Sequence, residues 1–233
     1  MKNIKTISLA SLIVANLSAP AFADNFNLGI SGSWAYLEAE GKNTFSGVNA
    51  AGTTLTTTKT ATDQANFGFA SIFAEYSKTY SPSTEIVFGI DYVPFKGEID
   101  SRSKTDSDLV SGTSSTSGTN SIKVELKNHA IVYVQPTYKI TNDSAWFIKL
   151  GYAQADVNAS GSSVSGSTIN KSDTMSGPVV GLGVQTNIDK GYFLRFEANY
   201  ADYDTVSFSN TGGATVSADP KMYSAKISLA KRF

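Results

Sequence analysis

Hydrophobic and polar residues alternate along most of this chain with a period of two. In residues 221–233 the aromatic and aliphatic side chains share one face, at Tyr223, Ile227, Leu229 and Phe233, and the positions between them are mostly polar or small. Because successive side chains of a β-strand point to opposite faces, this alternation predicts a strand with one apolar and one polar face.

The same alternation recurs eight times, and no segment keeps the 3.6-residue period of a helix. The predicted strands cover residues 26–36, 66–76, 86–92, 122–138, 146–152, 180–184, 192–200 and 221–233. In the second strand, Phe67 and Phe69 fall on the opposite face from Ile72 and Tyr76. Either these two phenylalanines point inward, or a β-bulge near residues 70–71 returns them to the apolar face.

The connections between the predicted strands alternate between short and long. Residues 77–84, 139–144 and 187–191 are short turns, whereas residues 40–65, 93–121, 155–176 and 202–220 form long segments rich in Ser, Thr, Gly and Asn. This alternation is typical of a membrane-spanning barrel. We therefore predict an all-β fold, an eight-stranded antiparallel up-and-down transmembrane β-barrel with short periplasmic turns and long extracellular loops.

The first 23 residues have the pattern of a secretory signal peptide. Lys2 and Lys5 precede a short apolar stretch, and a small-x-small motif ends at Ala23, so cleavage is expected between Ala23 and Asp24. The barrel domain is then residues 24–233. No segment reaches the roughly 20 apolar residues that a membrane-spanning helix needs.

Composition narrows the function classes further. Without the signal peptide the chain has 17 basic and 20 acidic residues, which gives no reason to expect a nucleic-acid partner. There is no cysteine, so disulfides and a thiol-linked lipid anchor are excluded. Charged residues make up 17% of the chain, below the roughly one quarter usual for soluble proteins.

Alternation alone does not decide which face of the barrel is outside. A soluble lipocalin-like barrel has the same period with its apolar face inward. Here aromatic residues cluster at both ends of the predicted strands, which favours an outward apolar face with its ends at two membrane interfaces. They are Tyr76, Tyr138, Trp146, Tyr192 and Phe233 at the short-turn end, and Trp34, Tyr36, Tyr92, Tyr152, Tyr200 and Tyr223 at the other.

With that orientation, the polar face lines the interior of the barrel. The predicted interior charges are Glu75, Asp91, Lys123, Glu125, Lys127, His129, Lys149, Arg195, Glu197 and Lys226. An eight-stranded barrel is just wide enough for its side chains to fill, so buried charges must pair. Because opposite charges alternate around the wall, we predict a salt-bridge network that plugs the interior. A narrow, gated ion pore is the alternative.

The sequence offers no catalytic or metal-binding constellation. His129 is the single histidine, and one histidine without cysteine is a poor start for a zinc site. No catalytic residue, metal or cofactor is therefore predicted. The long segments are expected to carry any binding, because loops on a rigid scaffold commonly do so.

The C-terminal strand, which ends on Phe233, resembles the closing strand of bacterial outer-membrane β-barrels. The whole of residues 26–233 resembles the small barrels of the OmpA, OmpX and Opa kind. This resemblance implies the outer membrane of a Gram-negative bacterium, contact with its lipid, and recognition of the assembly signal by the barrel-assembly machinery. The signal residues would be Tyr223, Ile227, Leu229 and Phe233, although Lys231 stands where the family usually has an apolar or aromatic residue.

The function expected from these features is non-enzymatic. The barrel would have a plugged interior and a structural or surface-recognition role, with an extracellular ligand bound through the Ser/Thr-rich loops. A small porin-like channel for ions or small apolar solutes is the alternative.

Overall fold

The computed structural model describes residues 24–48, 54–110, 114–162, 166, 168–209, 211 and 215–233. The predicted signal peptide, including Ala23, lies outside the described residues. Within them, no helix is long and apolar enough to cross a membrane. The described chain forms ten strands: β1 Asp24–Val48, β2 Thr54–Ser81, β3 Thr84–Tyr92, β4 Gly97–Val110, β5 Ser114–Lys139, β6 Ser144–Ser162, β7 Thr168–Asn187, β8 Tyr192–Asp202, β9 Val206–Ser209 and β10 Thr215–Arg232.

Eight of these strands close into a ring in which every neighbour is antiparallel. Their order is β1-β2-β3-β5-β6-β7-β8-β10, and β10 pairs back to β1. Where β1 and β10 meet at the edge of the ring, Phe26 and Phe233 exchange backbone hydrogen bonds of 3.3 and 2.8 Å. The predicted eight-stranded up-and-down barrel is confirmed. The other two strands are not members of the ring. β4 pairs with the N-terminal part of β5, and β9 pairs with the N-terminal part of β10.

Three short turns lie at one end of the barrel, as predicted, and Phe26 and Phe233 lie at the same end. In the turn between β7 and β8, Lys190 and Gly191 have φ angles of 52° and 81°. This left-handed backbone is easy for glycine and uncommon for lysine, and it lets the amide of Tyr192 donate to the carbonyl of Asp189 at 2.9 Å.

The long connections differ from the prediction. Instead of irregular loops, β1 and β2 remain paired as far as Val48 opposite Thr54, and β6 and β7 as far as Ser162 opposite Thr168. The residues predicted as loops also contain β4 and β9. Threonine is β-branched and favours strands. Hydroxyl pairs across strands, such as Thr44 with Thr58 at 3.4 Å, add to this pairing.

The outward face of the barrel is an apolar belt. Ile30 on β1 and Leu182 on β7 are 61% and 67% exposed. A row of aromatic rings lies at each end of the belt. Tyr138 and Trp146 are 6.3 Å apart in the lower row, at the short-turn end, and Tyr200 and Tyr223 are 5.0 Å apart in the upper row. The predicted orientation of the two faces is therefore the observed one.

Phe67 and Phe69 of the second strand point inward. The register between β1 and β2 runs without interruption past residues 70 and 71, so no bulge turns these side chains outward. Phe67 is 8% exposed, and Phe69 packs against the same buried cluster. Of the two alternatives left open by the sequence, the interior position is correct.

Candidate functional site

The deepest ion pair in the barrel joins Glu75 on β2 to Arg195 on β8. Two nitrogens of the Arg195 guanidinium donate to the two carboxylate oxygens of Glu75 at 2.6 and 3.0 Å. Tyr133 also donates to Glu75 at 2.6 Å and Asn27 at 3.1 Å, while Gln185 accepts from Arg195 at 3.0 Å. These partners compensate for removing both charges from water.

Three phenylalanine rings surround the Arg195 guanidinium. The centroids of Phe73, Phe147 and Phe193 lie 5.4, 5.2 and 5.3 Å from its central carbon. Arginine suits such a site, because its planar cation stacks on aromatic faces while its edge donates to a carboxylate. These rings were not among the interior residues predicted from the sequence. Each of these rings has an odd residue number, as the neighbouring interior charges do, and so lies on the same face of its strand. This shared parity was the signal available in the sequence.

A second group of interior charges lies next to the first. Lys149 donates to both carboxylate oxygens of Glu197 at 2.8 and 2.7 Å, and its ammonium nitrogen lies 4.3 Å from the centroid of the Tyr133 ring. Lys226 donates to Asp91 at 2.7 Å and lies 3.8 Å from Glu197. Tyr133 therefore contacts both groups, since it also donates to Glu75.

A third ion pair, which was not predicted from the sequence, lies at the short-turn rim. Arg232 on β10 lies 3.1 Å from Glu85 on β3 and donates to the side chain of Asn27 at 3.3 Å. Glu85 is 2% exposed and shares its face of β3 with Asp91, which was the signal that could have revealed it. Together the three interior groups contain four acidic and four basic side chains, so their charges cancel.

Lys123, Glu125 and Lys127 do not join the interior network, and the prediction for these three residues is wrong. A bulge at Asn128, with φ of 51°, shifts the β5–β6 register between Lys127 and Ala130. One extra residue moves every side chain beyond it to the opposite face. Above the bulge the apolar side chain of Leu126 therefore points inward, where it is 5% exposed.

The three displaced charges form a small cluster outside the barrel wall. Lys123 lies 3.1 Å from Glu98 and 3.0 Å from Glu125, and Lys127 lies 3.7 Å from Glu125. The hydrogen bond from Lys123 holds the pKa of the Glu125 carboxyl below its usual value. These side chains are partly exposed, so water and salt screen their attraction.

Above the charged groups, toward the long hairpins, the interior is apolar. This upper apolar core is formed by Ala35, Phe67, Leu126, Ile131, Tyr133, Ala153, Ala155, Val157, Ala159, Met175, Val179, Ala201, Tyr203, Val206, Phe208 and Met222. This core was not predicted from the sequence, because seven of its residues lie in segments predicted as loops: Ala155, Val157, Ala159, Met175, Tyr203, Val206 and Phe208. It extends the closed part of the interior beyond the apolar belt.

His129 lies at the boundary between the charged groups and the upper apolar core. Its Nε2 is 2.9 Å from the Tyr203 hydroxyl, and the ring of Phe69 packs edge-on against it at 6.0 Å. The cavity beside it is about 10 Å³, enough for about one water molecule. Among the described residues, no three His, Asp or Glu side chains converge as a metal site.

Several solved structures of outer-membrane proteins are similar to this chain. The outer-membrane protein OprG from Pseudomonas aeruginosa matches with a TM-score of 0.51 and 13% identity, over 91% of this chain and 96% of OprG. The outer-membrane protease OmpT from Escherichia coli matches with 0.49 and 10%, over 91% and 99%. Ail, the attachment invasion locus protein of Yersinia pestis, matches with 0.44 and 12%, over 89% and 98%. The sequence matches no protein-family model and no curated protein.

The chain has the fold of an outer-membrane β-barrel. The match to OprG establishes this fold and nothing finer, because its identity is far too low to carry over a function. The apolar belt between the two aromatic rows is the surface that such a barrel presents to lipid. The outer membrane of a Gram-negative bacterium is therefore the location of this protein.

Proposed function

We propose that this protein is a non-enzymatic outer-membrane barrel whose interior is closed to solutes and whose function lies on its extracellular hairpins. The observation that carries the proposal is the continuous filling of the interior. Three balanced groups of charges occupy its lower and middle parts, and the upper apolar core occupies the part nearest the hairpins.

This filling favours closure over conduction. A conducting lumen needs a hydrated path, commonly lined by charges of one sign. Here Lys149 and Glu197 neutralise each other at 2.7 Å, and the guanidinium of Arg195 is held by Glu75. A permeating ion would have to break these pairs and then cross the upper apolar core. Both steps carry a desolvation penalty.

The position of His129 supports a role without catalysis. Its side chain is 1% exposed and faces the interior, where its ring nitrogen is hydrogen-bonded to Tyr203. A substrate at the cell surface or in the surrounding lipid could not reach this ring. The hairpins offer a contrasting surface, since residues 58–64 are exposed on both faces of β2.

Conductance of the refolded barrel tests the closed interior. In a planar bilayer the wild type should show no reproducible channel events, while a heat-dependent shift in gel mobility verifies that it has folded. A Lys149→Ala/Glu197→Ala variant removes one buried pair and should leak ions. The matched control is Lys123→Ala/Glu125→Ala, which removes a pair outside the wall and should stay silent.

Reproducible conductance from the folded wild type would contradict the closed interior. It would favour the small porin-like channel that the sequence left open. Leakage from the control variant at the level of the buried-pair variant would show that the interior charges are not what closes the barrel.

A further inference from the structure

A large apolar side chain that the barrel does not bury lies at each of the three short turns. Tyr80, Ile140 and Ile188 are 55%, 62% and 57% exposed, and each lies in or beside a different turn. Tight turns usually hold small or polar residues. Contiguous exposed apolar side chains mark a surface that meets a membrane or another molecule. The short-turn end of the barrel is therefore a candidate binding surface.

This surface continues the apolar belt past the lower aromatic row. The amide of Ile140 donates to the carbonyl of Ser144 at 2.8 Å, and the amide of Ile188 donates to the carbonyl of Tyr192 at 2.8 Å. These hydrogen bonds extend the strand pairing by one residue. Both isoleucines therefore keep the outward direction of the even-numbered residues that precede them on their strands.

The height of the belt explains why apolar side chains are useful in the turns. The outward face of β8 runs from Tyr192 in the lower aromatic row to Tyr200 in the upper row, about 26 Å along the strand. At a tilt of about 40° this covers about 20 Å of the roughly 25 Å apolar band of an outer membrane. Ile140 lies two residues beyond Tyr138, which adds about 5 Å at the same tilt. The turns therefore complete the band.

Lysines accompany the apolar side chains at this end. One lies within two residues of each of the three: Lys78, Lys139 and Lys190. The ammonium nitrogen of Lys78 is 5.9 Å from the centroid of the Tyr80 ring. That of Lys231, on the outward face of β10, is 5.5 Å from the Tyr192 centroid and 5.1 Å from that of Phe233. Lysines beside interfacial aromatic rings can extend their ammonium groups to the lipid phosphates.

Two carboxylates at the same end are engaged within the protein. Glu85 pairs with Arg232 inside the rim at 3.1 Å. Asp189 accepts a hydrogen bond from the backbone amide of Lys190 at 2.8 Å. Neither of these carboxylates neutralises the two lysines on the outward face, Lys78 and Lys231.

We propose that the short-turn end of the barrel is sunk into the periplasmic leaflet of the membrane and binds anionic phospholipid there. Tyr80, Ile140 and Ile188 contact the acyl chains near the headgroups, and the ammonium groups of Lys78 and Lys231 bind the lipid phosphates. The apolar surface and its cations match the two parts of such a lipid. This binding depends neither on the closed interior nor on the function of the extracellular hairpins.

The depth of the turns can be measured with a nitroxide attached to single cysteines, because the protein has no native cysteine. The labelled Ile140→Cys and Ile188→Cys variants are refolded into vesicles of phosphatidylethanolamine and phosphatidylglycerol. Both labels should be relaxed more by oxygen, which concentrates among acyl chains, than by a water-soluble nickel complex. Asn142→Cys, in the same turn as Ile140, is the matched control and should show the opposite order.

Lipid selectivity tests the role of the lysines. The refolded wild type should bind spin-labelled phosphatidylglycerol roughly two- to fivefold more strongly than spin-labelled phosphatidylcholine. In the variant Lys78→Gln/Lys231→Gln this ratio should fall toward one. The control Lys59→Gln/Lys171→Gln removes two exposed lysines from the long hairpins and should keep the wild-type ratio. A heat-dependent shift in gel mobility verifies that each variant has folded.

Equal accessibility of positions 140, 188 and 142 to the nickel complex would overturn the proposal. The apolar turn residues would then lie in water, as expected if a periplasmic protein were their partner. A wild-type ratio of one would also overturn it. So would an equal fall of the ratio in the lysine variant and its control, because the selectivity would then not come from Lys78 and Lys231.

Discussion

Arg195 and Glu75 lie 120 positions apart in the sequence and meet inside the barrel through two hydrogen bonds, of 2.6 and 3.0 Å. Their strands, β8 and β2, are not neighbours in the ring, because β10 and β1 lie between them. The pair therefore links separate parts of the wall through the interior. It also holds the most completely buried charges of the network, since both residues are 1% exposed.

Arg195→Met should destabilise the barrel by about 3–5 kcal/mol, because it leaves the Glu75 carboxylate buried without its charged partner. The double variant Glu75→Gln/Arg195→Met should lose less than the single variant, since no unpaired charge then remains. Urea unfolding in detergent micelles measures both free energies. A double variant that is less stable than Arg195→Met would contradict the assignment of Glu75 as the buried charge that Arg195 neutralises.

Gly89→Ala should cost about 1–3 kcal/mol through overpacking. A β-carbon at Gly89 would collide with the ring of Tyr133, whose hydroxyl donates to Glu75 at 2.6 Å. The substitution should therefore also disturb that hydrogen bond. Gly32→Ala is the matched control, because a β-carbon at Gly32 meets no atom within 4 Å. Thermal unfolding followed by gel mobility compares the two, and equal midpoints would contradict the prediction.

Lys149→Ala should destabilise the protein by about 3 kcal/mol, because Glu197 would remain buried without its closest cation. Lys123→Ala, which removes a partly exposed lysine outside the wall, should have no measurable effect. Urea unfolding of the two variants under one condition measures the contrast. A similar loss in both would mean that Lys123 belongs to the interior after all.

Deletion of Phe233 should impair assembly more than Lys231→Tyr. The deletion removes the aromatic ring and both backbone hydrogen bonds with Phe26, of 3.3 and 2.8 Å. Lys231 already lies between aromatic rings, 5.1 Å from the Phe233 centroid and 5.5 Å from that of Tyr192, so a tyrosine fits there. The yield of heat-modifiable protein in the outer membrane measures assembly.

Phe233→Tyr is the control for this comparison, because it keeps both the ring and the backbone hydrogen bonds and should assemble normally. Equal yields from the deletion and the wild type would contradict a role for Phe233 in assembly. The recognition of Tyr223, Ile227 and Leu229 by the assembly machinery remains a prediction from family resemblance.

The faces of the membrane strands could be predicted from the sequence because side-chain direction along a strand depends only on parity. Ile227 and Leu229 point outward and Lys226 points inward, as the alternation indicated. This rule of alternating parity fails wherever a β-bulge adds one residue to a strand. At Asn128 one residue with positive φ sends Leu126 inward and Lys123 outward, and no local pattern distinguishes this bulge from a continuous strand.

The sequence by itself determined that this is a barrel with an apolar outer face and a charged interior. The barrel follows from a period of two and alternating connection lengths, and the outward direction of the apolar face follows from the aromatic residues at both ends of the strands. Only the tertiary structure decided which charges meet. The pairing of Glu75 with Arg195, rather than with a nearer neighbour in sequence, depends on how the closed ring brings distant strands together.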